Sequence, residues 1–303
     1  MARAGFASLV GRPNAGKSTL LNRMIGTKVA IVSDKPQTTR NRIVAVKNLA
    51  DGQIVFVDTP GIHRPLHRLN VRMVDAAVDT LREVDVVALV FDASTRPGKG
   101  DEYVSTLFKH VKIPVVLVLN KIDLVSKAKL LPLMEQASGW HDFASIVPVS
   151  ADTGDGVERL EQVLLEHLPE SDPIYPEDFL TDQPERTFVS EIVREKVLLH
   201  TRNELPFTTA VIVDQFDESE RERMLRLYCT IYVESESQKP IIIGRGGSMI
   251  KQIGTEARKE MEAFFDTKVY LDLRVKVDPD WRNNDRTLDE IGVPRSVRKP
   301  RKR

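Results

Sequence analysis

The segment Gly11-Arg12-Pro13-Asn14-Ala15-Gly16-Lys17-Ser18 restricts this chain more than any other, because it follows the apolar run Phe6 to Val10 and opens a helix-like run at Thr19. A complete Walker A pattern set between strand and helix is a phosphate cradle. Its glycines let backbone N–H groups turn inward, a helix N-terminus adds partial positive charge, and Lys17 neutralises β- and γ-oxygens. Ser18 offers a hydroxyl to magnesium. The run from Gly11 to Thr19 is therefore expected to touch nucleotide.

Further apolar runs, Ile54 to Val57, Val86 to Phe91, Val115 to Leu119 and Ile146 to Val149, alternate with amphipathic segments as far as about Leu168. Such runs suit strands buried on both faces, with the helical segments as crossovers. Residues 1–170 are expected to form a doubly wound α/β P-loop domain.

Three more motifs fall at the ends of these runs. In Asp58-Thr59-Pro60-Gly61, Asp58 can hold magnesium through water and the Gly61 N–H can approach a γ-phosphate; alone, the tetrapeptide would be an ordinary turn. In Asn120-Lys121-Ile122-Asp123, the Asp123 carboxylate can accept from N1–H and the 2-amino group of guanine. Adenine would leave that charge desolvated and unpaired. Asn120 is expected to tie this loop to the phosphate loop, the Lys121 stem to cover the base, and Ser150-Ala151 to present the Ala151 N–H to guanine O6. The set calls for GTP or GDP with Mg2+.

The aperiodic segment Lys35-Pro36-Gln37-Thr38-Thr39-Arg40 can bring a threonine hydroxyl, Thr39 in preference to Thr38, to magnesium when γ-phosphate is present. Lys17, Thr39 and Gly61 are then the residues that carry catalysis. Ser18, Thr39 and Asp58 are the metal ligands.

Pro169, Pro173, Pro176 and Pro184 interrupt the next stretch among five acidic residues, a composition that opposes helix and ladder alike, and 171–186 read as a linker. Beyond it the periodicity gives a helix Ser190 to His200, strands Phe207 to Val213 and Met224 to Val233, a glycine cluster, a helix to about Phe265 and a strand Val269 to Val277. This α-β-β-α-α-β order over 187–280 is a small α+β domain. Residues 281–303 form an extension whose last ten carry six basic side chains, read as a solvated tail.

Charge singles out no partner, since 44 basic residues balance 44 acidic ones. The lone Cys229 lies in an apolar strand and reads as packing. With no signal-like start and no apolar stretch long enough to span a membrane, a reducing cytosol is expected.

With these motifs placed, the chain resembles the bacterial Era family of ribosome-assembly GTPases from about Gly5 to Gly292. The resemblance rests on Gly11 to Ser18, Gln37 to Arg40, Asp58 to Ile62, Asn120 to Asp123, Ser237 to Gly247, Val275-Lys276-Val277 and Trp281-Arg282. It implies that the second domain is a type II KH domain binding single-stranded 16S ribosomal RNA near its 3′ end, in assembly of the 30S subunit. Gly244-Arg245-Gly246-Gly247 would then clamp the strand, with Ile243, Ile250 and Lys251 beside it. Monomer is the default state, and association with the inner face of the membrane is implied by the family alone.

In Ras-like enzymes a glutamine orients the attacking water at the position held here by Ile62, so slow intrinsic hydrolysis is expected. Asn14 fits related GTPases in which K+ acts where an arginine finger would. Arg40 and Arg64 lie in the two loops, and His63 and His67 read as surface residues. The competing reading is an RNA-binding assembly factor whose GTPase is vestigial or uncoupled, and the intact set Ser18, Thr39 and Asp58 argues against it.

Overall fold

A computed structural model describes residues 2–33, 35, 38–58, 68–80, 83–95, 112–201 and 205–293. Strands β1 (Arg3–Gly11), β2 (Ile43–Leu49), β3 (Gly52–Asp58), β4 (Val86–Asp92), β5 (Val115–Asn120) and β6 (Ser145–Pro148) form one sheet in the order β2-β3-β1-β4-β5-β6. All neighbours are parallel except β2 and β3, which run antiparallel from Ile43 opposite Asp58 to Leu49 opposite Gly52. Helices α1 (Lys17–Ile25), α2 (Arg68–Thr80), α3 (Lys127–Ser138) and α4 (Val157–Glu166) accompany it.

Alternation along β1 explains why its sequence is a continuous apolar run. Ala7 and Leu9 enter a buried cluster with Leu20 and Leu21 of α1 and Leu160 and Leu164 of α4. Val10 points the other way and joins Leu117, Leu119 and Ala137 of α3. Parallel strands covered on both faces place their carboxyl ends at one crest, where ligands of open α/β sheets bind.

The linker departs from expectation, because it makes ladder contacts after all. The Val46 N–H donates to Leu180 O at 3.0 Å, the Thr181 hydroxyl to Val44 O at 2.7 Å and the Val44 N–H to Asp182 Oδ1 at 3.0 Å. Isolated bridges join Arg3 to Glu170 and Ala45 to Thr181. Tyr175 and Phe179 stack 4.5 Å apart and cover Val44, Val46 and Val55. Strand β2 is a sheet edge, whose unpaired groups need a cover; prolines forbid a continuous strand there but leave single bridges open.

The second domain has the expected order: α5 (Glu185–His200), a single turn α6 (Leu205–Thr208), β7 (Ala210–Asp217), β8 (Leu225–Val233), α7 (Lys239–Ile243), α8 (Ser248–Phe265) and β9 (Val269–Val277). The strand expected from Phe207 starts three residues later, because Leu205–Thr208 forms the helical turn and the Thr209 hydroxyl closes it by donating to Leu205 O at 2.7 Å. Strands β7 and β8 pair antiparallel, while β8 and β9 pair parallel from Leu225 opposite Val269 to Val233 opposite Val277. Val189, Ile192 and Val193 of α5 and Ile253, Ala257 and Met261 of α8 bury one sheet face. Cys229 lies in that core, and burial pushes its thiol up to about 12, so it packs and does not react.

After β9 a short turn Trp281–Asn283 and helix α9 (Asp285–Glu290) lead back to the first domain. Trp281, Leu288, Ile291 and Val293 share a buried cluster with Leu69 and Met73 of α2. Among the described residues no helix is long and apolar enough to cross a membrane.

Candidate nucleotide site and nucleic-acid interface

A cavity of about 380 Å³ opens at the crest, lined among others by Asn14, Lys17, Ser18, Thr19, Thr39 and Lys121, a volume in the range of small-molecule sites. Gly16 shows why the cradle is built as it is. Its φ of 91° is left-handed, and a Cβ there would lie 2.2 Å from Asn120 Nδ2, so no side chain fits. Helix α1 begins at the next residue and aims its N-terminus into the cavity. Arg12 is exposed and Pro13 half-buried on the outer rim, whereas Gly11 and Ala15 are buried beneath.

Lys17 is 7% exposed, and its Nζ donates to Gly11 O at 3.1 Å and Arg12 O at 3.0 Å. Burial depresses its pKa and nearby Asp58 pulls it part of the way back. An anion in the cavity would favour the charged form.

The three residues expected at magnesium converge. Ser18 Oγ and Thr39 Oγ1 share a hydrogen bond of 2.8 Å, and Asp58 Oδ2 accepts from Ser18 at 3.3 Å and from Thr39 at 3.5 Å. Asp58 is fully buried and Thr39 is 7% exposed. Two hydroxyls and a carboxylate form an all-oxygen set, which fits a hard divalent cation that keeps some water and phosphate ligands. The hydroxyl of Thr38 is elsewhere, donating to Lys35 O at 2.6 Å.

At the base end, Asn120 is fully buried; its Nδ2 donates to Ala15 O at 2.8 Å and its Oδ1 accepts from the Ala151 N–H at 3.0 Å. One amide thus clips three loops together. The Ala151 N–H, expected to address guanine O6, is already engaged by Asn120 and would have to be shared. Ser150 Oγ donates to Asp123 Oδ1 at 2.6 Å and so orients an exposed carboxylate.

Lys121 Nζ lies 2.6 Å from Asp92 Oδ2. Burial alone would raise the Asp92 carboxyl, but bonds from Lys121 and Ser94 outweigh it and hold the group below its ordinary value. Asp92 was missed from sequence, although it ends a strand just as Asp58 does.

Arg40 does not face the phosphate cradle. It is 2% exposed, its Nη1 donates to Thr209 O at 2.8 Å, and its guanidinium lies 5.3 Å from the Trp281 ring centroid. Burial first and the nearby Arg194 second lower its pKa. Thr59, Pro60, Gly61, Ile62, His63, Arg64 and His67 fall outside the described residues, as do Gln37 and the basic tail.

In the second domain Gly246 and Gly247 have left-handed φ of 59° and 78°, with nothing within 4 Å of where a Cβ would stand. The loop therefore needs glycine for its backbone and leaves open space for another backbone to approach. Arg245 and Lys251 are exposed beside it, while Ile243 and Gly244 are half-buried. A groove of about 300 Å³ runs on between α8 and β9, lined by Ile250, Lys251, Gly254, Arg258, Leu271 and Leu273, together with Thr255. Gly254, Thr255, Arg258, Leu271 and Leu273 were missed, yet 250, 254 and 258 share a helix face by their spacing.

Comparison with known proteins finds relatives of both domains. A family model described as 50S ribosome-binding GTPase matches residues 6–121, and one described as KH domain matches 209–282. The chain is 50% identical over 289 residues to GTPase Era of Geotalea daltonii, covering 95% of this chain and 97% of that one. GTPase Era of Geobacter metallireducens is 48% identical over 290 residues, covering 96% and 97%. A crystal structure of Era in complex with MgGDPNP and nucleotides 1506–1542 of 16S ribosomal RNA superposes with a TM-score of 0.93 at 41% identity, covering 97% of this chain and 99% of that one. A variant of Aquifex aeolicus Era bound to GDP and AlF4− gives 0.92 at 41% identity, covering 96% and 99%. The chain belongs to the Era family of GTPases.

Proposed function

We propose that this chain is a GTP-binding, GTP-hydrolysing switch that binds single-stranded 16S ribosomal RNA near its 3′ end through residues 187–280 and acts in assembly of the 30S subunit. The observation that carries the reading is the convergence of Ser18, Thr39 and Asp58 beside a Walker A cradle. The Mg2+ and nucleotide of the Era complex and the RNA in it come to this chain by that resemblance.

In this reading Ser18, Thr39 and Asp58 hold the cation, which, when bound, offsets negative charge on the β- and γ-phosphates. Lys17 and the loop from Gly11 to Thr19 bind the phosphates, Asp123 with Ser150 and Ala151 selects guanine, and Lys121 covers the base. Gly61, with Thr59 and Pro60, belongs to the same reading by sequence. Hydrolysis is slow, with K+ as a candidate activator at Asn14.

The RNA strand is read by Ile243, Gly244, Arg245, Gly246, Gly247, Ile250 and Lys251, with bases entering the groove floored by Leu271 and Leu273. The domain limits stay at 1–170, 171–186, 187–280 and 281–303. A cytoplasmic, monomeric protein with peripheral membrane contact completes the reading, the last resting on the family alone.

The test is binding of a labelled oligonucleotide from the 3′ end of 16S ribosomal RNA, with GDP and with a non-hydrolysable GTP analogue. Tighter binding with the analogue is expected. Gly246→Asp, which puts a side chain and a negative charge where a phosphate backbone must approach, should lower RNA affinity about tenfold or more, a cost of roughly 1.4 kcal/mol specific to the bound state. Equal binding in both states would favour an uncoupled assembly factor.

A further inference from the structure

Thr39 stands between residues that the second domain holds. On one side, Arg194 of α5 donates through Nη2 to Thr38 O. On the other, the Arg40 guanidinium donates to Thr209 O and lies over Trp281, and Asn41 Nδ2 donates to Ile291 O at 3.0 Å.

The cost of this frame points to a purpose. Arg194 and Arg40 are each 2% exposed. Arg194 leans on Glu191, with Nε at 2.7 Å and Nη2 at 2.6 Å, while Arg282 nearby is tied up with Glu234. Burying two like charges side by side is unfavourable unless each is closely satisfied. Glu191 satisfies Arg194 from its own helix, while Thr38 O for Arg194 and Thr209 O for Arg40 are acceptors across the boundary, so the seated pose adds a bond to each guanidinium. If that backbone moves, Arg194 loses Thr38 O and Arg40 loses Thr209 O, leaving Arg194 with Glu191 alone among these acceptors.

We propose that Arg194 of the RNA-binding domain is a positioning residue for the GTP site: by holding Thr38 O it sets the Thr39 hydroxyl beside Ser18 and Asp58, so that seating of the second domain and sensing of the γ-phosphate are one equilibrium. The proposal rests on the reading of Thr39 as a ligand of the GTP-bound state. It gives the coupling a direction, since GTP then favours the seated pose, and whatever RNA gains from that pose must return to GTP affinity by the same factor.

The experiment is a double-mutant cycle on the full chain, measuring affinities for GDP and for a non-hydrolysable GTP analogue with Mg2+ in wild type, Arg194→Ala, Thr39→Ala and the pair. Arg194→Ala should weaken analogue binding about tenfold, within the roughly 5–150-fold span of allosteric couplings, and leave GDP binding unchanged. In the Thr39→Ala background it should add nothing, because its effect passes through Thr39. Asn41→Ala, which strands no charged partner, should repeat the selective loss if Arg194→Ala fails to fold. Equal loss for both nucleotides, or full additivity with Thr39→Ala, would overturn the proposal. Failure of wild type to bind either nucleotide would instead overturn the functional reading beneath it.

Discussion

The two ends of the nucleotide cavity are held by different means. The base end is clipped from within the first domain, where the buried Asn120 amide joins the loops at Ala15 and Ala151 and Ser150 orients Asp123. The Thr39 wall is held from outside, by Arg194, Thr209, Trp281 and Ile291 of the second domain and its extension. In the proposed function, recognition of guanine would therefore be a property of one domain. Recognition of the third phosphate would, on the same proposal, belong to two, which is what a device that reports nucleotide state to an RNA site requires.

Breaking the internal clip should have the largest effect. Asn120→Ala leaves Ala15 O and the Ala151 N–H without their present partner, at about 1–3 kcal/mol for each buried group. Affinity for GDP and for a GTP analogue should fall together by about a hundredfold, measured by titration of labelled nucleotides. A loss confined to one nucleotide would contradict the division drawn here.

Breaking the external frame should cost less and discriminate. Trp281 is fully buried, lies under Arg40, and donates from Nε1 to Thr208 O at 2.9 Å. Trp281→Leu keeps apolar volume but removes both contacts, and a desolvated cation–π contact is worth about 2 kcal/mol. Analogue affinity should drop roughly tenfold while GDP affinity holds. Equal behaviour of the two nucleotides would show that the Thr39 wall stands without the extension.

The same contrast marks what the sequence made legible. The internal end is built from contiguous motifs at strand ends, because backbone loops there must present fixed groups to phosphate and base; all but Asp92 could be read. Lys121 needed a partner, and only the pairing of β4 with β5, which sets Asp92 opposite Asn120, names it. The external frame joins residues separated by more than 150 positions, such as Thr38 with Arg194 and Asn41 with Ile291, and no local pattern announces them. Arg40 looked like a loop cation for the same reason. The linker was misread because proline content speaks to continuous strands, whereas β2 takes only isolated bonds from it.

The weakest expected effect concerns a second boundary contact, where acid should separate the domains without touching the base end. Lys28 of the first domain is bonded to Glu195 at 2.6 Å and to Glu260, and Lys196 closes the ring with both acids. Glu195 also accepts from the Val32 N–H at 2.8 Å, so it reaches the segment that leads to Thr39. Burial would raise its carboxyl, but bonds from Lys196 and Lys28 prevail and its pKa is lowered. A carboxylate depressed in the folded state contributes stability above its unfolded value and loses it as pH falls through the folded one. Between pH 7 and 5 the contact should therefore hold, and only below the ordinary glutamate range, about 4.3, should it loosen. Fluorescence transfer between dyes on the two domains, followed from pH 7 to 3.5, should show separation confined to the acid end, and Glu195→Gln should flatten that response. A wild-type separation centred near neutrality would assign the boundary to a different group.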